Sequence, residues 1–126
     1  MPQKKVKQIQ FESNTWKRLL DFFREENVYL KNRLSDILKE SFDRSLLEAL
    51  ENFQSQFIKQ DELNGVLRNE ISELDKLLLD EKIKEAIRKP LIERILTNLR
   101  ENLSNSEKRF CALQLDFNKY LSENIS

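Results

Sequence analysis

Apolar residues recur in this sequence at alternating spacings of four and three, in three separate rows. The first row is Trp16, Leu20, Phe23, Asn27, Leu30, Leu34 and Ile37. The second is Leu46, Leu50, Phe53, Phe57, Gln60, Asn64, Leu67, Ile71, Leu74 and Leu78, and the third is Ile92, Leu96, Leu99, Leu103, Ser106, Phe110, Leu113, Phe117 and Tyr120. A repeat of about 3.5 residues keeps one stripe of a helix turned toward a partner helix, so each row predicts a long helix with a heptad-like seam. Polar residues interrupt otherwise apolar rows, so the pattern is not the accident of a uniformly greasy chain. The reading is all-α: an antiparallel bundle of three long helices with coiled-coil-like seams, the rival being four helices with a break near residue 105.

Composition supports this by exclusion. The 126 residues contain one Gly and two Pro, too few to punctuate the tight turns of a β-sandwich or to build a glycine-rich phosphate loop. No His is present and only one Cys. That removes His-based triads and most zinc sites, together with any internal disulfide framework. A chain this long folds as one domain, residues 1–126. Roughly 7,000 Å² of folded surface against ~22,000 Å² unfolded leaves room for a real core.

The boundaries follow from capping and breaking residues. Ser13, Asn14 or Thr15 is expected to cap the first helix, which leaves residues 1–12 as a flexible polar tail. Residues 41–45 are expected to form the first turn. Asp80 and Glu81 end the second seam, and Lys89-Pro90 marks a second boundary, because Pro disfavours helix at the residue before it. Gly65 and the Ser-x-x-Glu pattern of Ser104 to Glu107 argue for interruption inside the long elements. Folding the chain about residue ~43 sets Asn27 opposite Phe57 to Gln60, and folding about residue ~85 sets Asn64 near Ser106, as short turns between antiparallel helices require.

Lys and Arg number 22, balanced by 22 Asp and Glu, so the whole chain has no general attraction to nucleic acid or acidic lipid. Locally the balance breaks: residues 61–85 are acidic and residues 82–109 basic. The expectation is an acidic second helix that selects a basic third helix as neighbour. The alternative is a nucleic-acid face built from Lys89, Arg94, Arg100 and Arg109. No apolar run approaches the ~20 residues that span a bilayer. The polar stretch from Met1 to Gln10 lacks the apolar core of a secretory signal, so a cytoplasmic protein without a membrane partner is expected.

Four seam residues are polar, Asn27, Gln60, Asn64 and Ser106, and they fall at the middle of the bundle. Such residues fix register at some cost in stability; the rival is a small polar pocket that Gly65 opens. The neighbouring carboxylates Glu25 with Glu26, Asp61 with Glu62 and Glu70 with Glu73 read as solvated helix faces, so no metal or cofactor is expected. Cys111, beside Phe110, reads as a small buried hydrophobe, and Trp16 as a core anchor.

The first helix carries a second stripe, Leu19, Phe22, Glu26 and Tyr29. Two stripes on one helix imply contact with two neighbours. Three helices with a Trp in the first resemble a spectrin repeat in outline, a likeness of architecture that carries no function. The strings Glu26-Asn27-x-x-Leu30-Lys31-x-Arg33-Leu34 and Phe53-Gln54-x-x-Phe57-Ile58-x-x-Asp61-Glu62 resemble those of short uncharacterised helical proteins of Bacteroidetes, over about the first half of the chain. That resemblance implies a bacterial cytoplasmic origin and brings no activity, cofactor or functional residue.

The functional expectation is therefore a non-enzymatic binding protein, a scaffold or adaptor that self-associates as a homodimer or presents a helix face to a protein partner. Leu19, Phe22 and Tyr29 are its expected anchors. A helical enzyme built on Arg, Lys and Glu is the remaining class, and no catalytic spacing appears.

Overall fold

A computed structural model describes residues 1–40 and 43–125. Its elements are α1 (Gln3–Glu40), α2 (Arg44–Leu79) and α3 (Glu85–Asn124), an all-α bundle in which α2 runs antiparallel to the other two. Helices of 38, 36 and 40 residues extend roughly 55–60 Å at 1.5 Å per residue. The accessible surface of 8643 Å² exceeds the roughly 7,000 Å² of a compact chain this size, as a thin rod should.

The seams form the core. Every residue of the first row is buried, and in the other two rows only Leu46, Phe53 and Tyr120 are half-buried. Toward the start of α2 and the end of α3 the packing is aromatic: Phe57 meets Phe117 edge-on at 5.1 Å, and Phe53 meets Phe117 at 5.2 Å. Phe23 and Phe110, 5.1 Å apart, close the contact between α1 and α3. The expected registers also hold. Asn27 reaches Phe57 and Asp61 on α2, and Ser106 reaches Gln60 and Asn64.

Several boundaries differ from expectation. α1 begins at Gln3, so residues 3–12 are helical and the anticipated cap at Ser13–Thr15 lies well inside the helix. The cause is that the seam continues backward: Ile9 is 2% exposed, Ser13 is 1% exposed, and the spacing to Trp16 keeps the same alternation. Ser13 caps nothing and instead donates its hydroxyl to Asp75 Oδ1 at 2.6 Å. Of the expected first turn, residues 41 and 42 lie outside the described residues. Asp43 caps α2, its carboxylate accepting from the Ser45 and Leu46 N–H groups, which leaves Arg44 and Ser45 in the helix.

The α2–α3 connection is short and self-bonded. Asp80 accepts from Lys82 N at 3.0 Å through its side chain, and from Arg88 Nη1 at 2.6 Å through its carbonyl. The Glu85 carboxyl at the start of α3 is held below its usual range, chiefly by the hydrogen bond from the Met1 ammonium and then by that from Arg88.

Lys89-Pro90 is not a boundary, since α3 starts five residues earlier. Pro90 forfeits one helical bond, but it and Ala86 are both exposed, so water can meet the freed carbonyl. α3 also passes unbroken through Ser104–Ser106. The four-helix alternative is thereby excluded, because Ser106 keeps its seam position between buried Leu103 and Phe110.

Gly65 leaves α2 intact as well. A methyl group at its Cβ position would meet nothing within 4 Å. Gly65→Ala is therefore expected to raise stability by ~1 kcal/mol, the helix-propensity difference without a steric penalty. Thermal melts followed by circular dichroism check this, and a lower midpoint would contradict it.

Candidate functional site

Two places in the bundle combine unusual residue types with a defined geometry. The first is the polar layer at mid-length. Gln60 Nε2 donates to Ser106 Oγ at 2.9 Å and, more weakly, to Asn64 Oδ1 at 3.4 Å, while the Ser106 hydroxyl lies 3.5 Å from the same oxygen. On the other side of α2, Asn27 Nδ2 donates to the Phe57 carbonyl at 2.9 Å and to Asp61 Oδ1 at 2.6 Å. Lys31 neutralises the second oxygen of Asp61.

The four predicted residues are thus all buried at one level, in two groups rather than one network. Gln60, Asn64 and Ser106 bond together, whereas Asn27 bonds to the α2 backbone and to Asp61. Two buried atoms of the layer lack any partner, Asn27 Oδ1 and Asn64 Nδ2. One is an acceptor and the other a donor. A cleft of about 390 Å³ runs along the α1·α2 face outside them, lined by Arg24, Lys31, Asp61, Asn64 and Gly65 among others. Burial of unpartnered polar atoms costs stability without supplying chemistry. Among the described residues, no three carboxylates or Cys come together in the arrangement of a metal site.

The second place is the outward face of α1. Successive helical residues turn by about 100°, so Phe11, Phe22 and Tyr29 fall within about 20° of one line along the helix. Their exposures are 62%, 54% and 70%. The predicted anchors separate here. Phe22 and Tyr29 stand in the open, but Leu19 is half-buried against the core and belongs to the packing between α1 and α3. Glu26, of the same second stripe, accepts from Gln114 Nε2 on α3 at 3.3 Å.

Phe11 replaces Leu19 as the third ring of the exposed line. It was legible as the residue three turns before Phe22, but only once α1 is extended past residue 13. Cys111 is exposed, not buried. Its position one residue after seam residue Phe110 turns it about 100° away from the core.

Charge pairing is arranged differently from the expected acidic α2 beside basic α3. Among the described residues no ion pair joins α2 to α3. α2 pairs with α1 instead, through Lys17–Asp75, Lys31–Asp61 and Arg68–Asp21. The acids of α2 near α3, Glu70 and Glu73, border a groove whose α3 side is Ile95, Asn98 and Asn102, and Glu73 pairs with Lys76 of its own helix.

The basic candidates on α3 do not share one face. Lys89 and Arg100 lie within about 20° of each other around α3, while Arg94 and Arg109 are more than about 100° away. Arg100 is already engaged by Glu12, Nε to Oε2 at 2.8 Å and Nη2 to Oε1 at 2.9 Å. That fork holds the guanidinium proton more tightly than usual and ties α1 to α3. Arg109 borders the outer α2·α3 groove beside Leu63.

These features define an all-helical, three-helix bundle with a polar mid-layer and one uncovered aromatic line. No helix among the described residues is long and apolar enough to cross a membrane. Comparison with protein families, with curated proteins and with solved structures finds no match.

Proposed function

We propose that this chain is a non-enzymatic binding protein that acts through protein–protein contact, with the outward face of α1 as its docking surface. The observation that carries this reading is the alignment of Phe11, Phe22 and Tyr29, each more than half exposed, along one side of a single helix. Scattered exposed apolar residues are normal on any protein. Three large aromatic rings on one line are the composition of an interaction surface, because aromatic anchors bury much area with few rotors to freeze. Val28 lies on a different side of α1, and the remaining exposed large apolar residues, among them Ile58, Val66, Leu79 and Leu115, are spread over α2 and α3. An exposed, unpaired Cys111 suits a reducing compartment such as the cytoplasm.

A photo-crosslinking residue tests the surface directly. Placed at Phe22 or Tyr29 in cells, it is expected to give covalent adducts heavier than the single chain. Placed at Ile58, on the outer side of α2, it should give few. Equal yields from the two faces, or none from position 22, would overturn the reading.

A further inference from the structure

The outward face of α1 carries charges as well as rings. At about 100° per residue, Lys4, Lys7, Thr15, Arg18, Glu25, Arg33, Asp36 and Glu40 fall on the same side as Phe11, Phe22 and Tyr29. All are exposed. None of the seven charged side chains has an ion-pair partner among the described residues, whereas Glu12, Lys17, Asp21 and Lys31 on the other flanks of α1 are paired. The unpaired charges are also ordered. Those toward the start of α1 are basic, and three of the four toward its end are acidic.

We propose that two copies of this chain pair antiparallel through these faces, about a two-fold axis beside Phe22. This rests on the α1 face being the docking surface proposed above, and it names the partner. With Phe22 set against the partner's Phe22, the sequence pairs with itself. Lys4 meets the partner's Glu40, Lys7 meets the partner's Asp36, and Arg18 meets the partner's Glu25, each contact occurring twice by symmetry. The guanidinium of Arg33 arrives over the partner's Phe11 ring, a cation–π arrangement, and Thr15 lies beside the partner's Tyr29. No like charges oppose.

Other arrangements lose this match. A slip of one turn in one direction keeps Lys4 with the partner's Asp36 but sets Lys7 against the partner's Arg33. The opposite slip keeps Lys7 with the partner's Glu40 and separates Arg18 from the partner's Glu25. Parallel pairing opposes every residue to its own copy, Arg18 on Arg18 and Glu25 on Glu25. Self-complementarity therefore selects one orientation and one register, as charged flanks do in paired helices. The face supplies about ten residues a side, fewer than the roughly 20–30 of a standard interface, so the dimer belongs to the weak, reversible class.

Charge exchange tests the pairing with the full chain, by sedimentation velocity over a concentration series. Arg18→Glu alone and Glu25→Arg alone each place like charges in contact twice per dimer, and each is expected to weaken dimerisation by ~10-fold or more. Mixing the two variants sets the introduced carboxylate of one chain against the introduced guanidinium of the other, and leaves one native Arg18–Glu25 contact in place. A mixed dimer should then form within ~3-fold of the wild-type affinity if charge matching carries the contact. The double variant R18E/E25R should likewise recover self-pairing. Phe22→Ala should weaken it without restoration by either charge change. Each substitution lies on an exposed helical face, and an unchanged helical circular dichroism spectrum checks that the fold persists.

A wild-type chain that stays monomeric at every concentration would overturn the proposal, as would a dimer that single swaps leave intact or a mixture that fails to recover. A monomer whose position 22 still crosslinks to a different protein would overturn the dimer and leave the docking surface standing. A monomer without adducts at position 22 would remove both.

Discussion

Phe57→Ala is expected to lower unfolding free energy by ~3–5 kcal/mol, the range for deleting a fully buried aromatic side chain. Phe57 has no exposure and lies edge-on to Phe117, with ring planes at 90° and centroids 5.1 Å apart. Phe117 is itself packed edge-on against Phe53 at 5.2 Å. Truncation therefore removes the end ring of a chain of four, Phe57, Phe117, Phe53 and Tyr120, and leaves Phe117 facing a void. The void cannot close easily, because Leu50 and Leu67 fix the α2 backbone on either side and both are buried. Urea unfolding followed by circular dichroism measures the loss, and the melting midpoint should fall by about 10–20 °C for a domain of this size. Leu115→Ala is the control. At 70% exposure it should change stability by no more than ~0.5 kcal/mol. Similar losses at both positions would contradict the assignment of the core.

The reverse effect is expected at Asn27→Leu, which should raise stability by ~1–2 kcal/mol. Asn27 is wholly buried, and its Oδ1 has no partner; such an orphan costs ~1–3 kcal/mol. Its donor group is dispensable to the groups that accept from it. The Phe57 carbonyl already belongs to the α2 helical ladder, and Asp61 keeps Lys31 as a partner. A leucine of similar size would bury apolar area in place of a partly satisfied amide. What the substitution should lose is axial uniqueness, because a lone buried amide pins the sliding of one helix against another. Unfolding curves test the first half of this statement, and the dispersion of backbone amide resonances tests the second. Lower stability than the parent would refute the first half; unchanged sharpness and dispersion would refute the second.

Much of this architecture is legible in the sequence, and specific residues show why. A heptad row needs only one buried direction per helix, and that direction is written in spacing alone. Hence Trp16 to Ile37, Leu46 to Leu78 and Ile92 to Tyr120 all line the core. Short turns then force antiparallel neighbours, so the level at which Asn27 meets Phe57 and Asp61, and Ser106 meets Gln60 and Asn64, follows from counting residues. Local signals were outvoted where they disagreed with the row. Pro90, Gly65 and Ser104 weaken a helix by about three, one and half a kilocalorie respectively, and burial of the neighbouring apolar residues offsets that. Ser13 has the chemistry of a cap, but Ile9 carries the seam past it.

The flanks were less legible. Whether Leu19 is an anchor or part of the core, whether Cys111 is sheltered, and whether an acid of α2 finds its base on α1 or α3 all depend on where a third axis lies. Asp61 and Asp75 turn toward Lys31 and Lys17 on α1, not toward the bases of α3. Charge counts along a sequence cannot reveal that. The sequence by itself determined long helices, their buried stripes and their pairwise registers, because those follow from periodicity along one chain. Only the tertiary structure decided which flanks meet and which side of α1 stays uncovered, because that depends on the angles at which three helices pack around a common core.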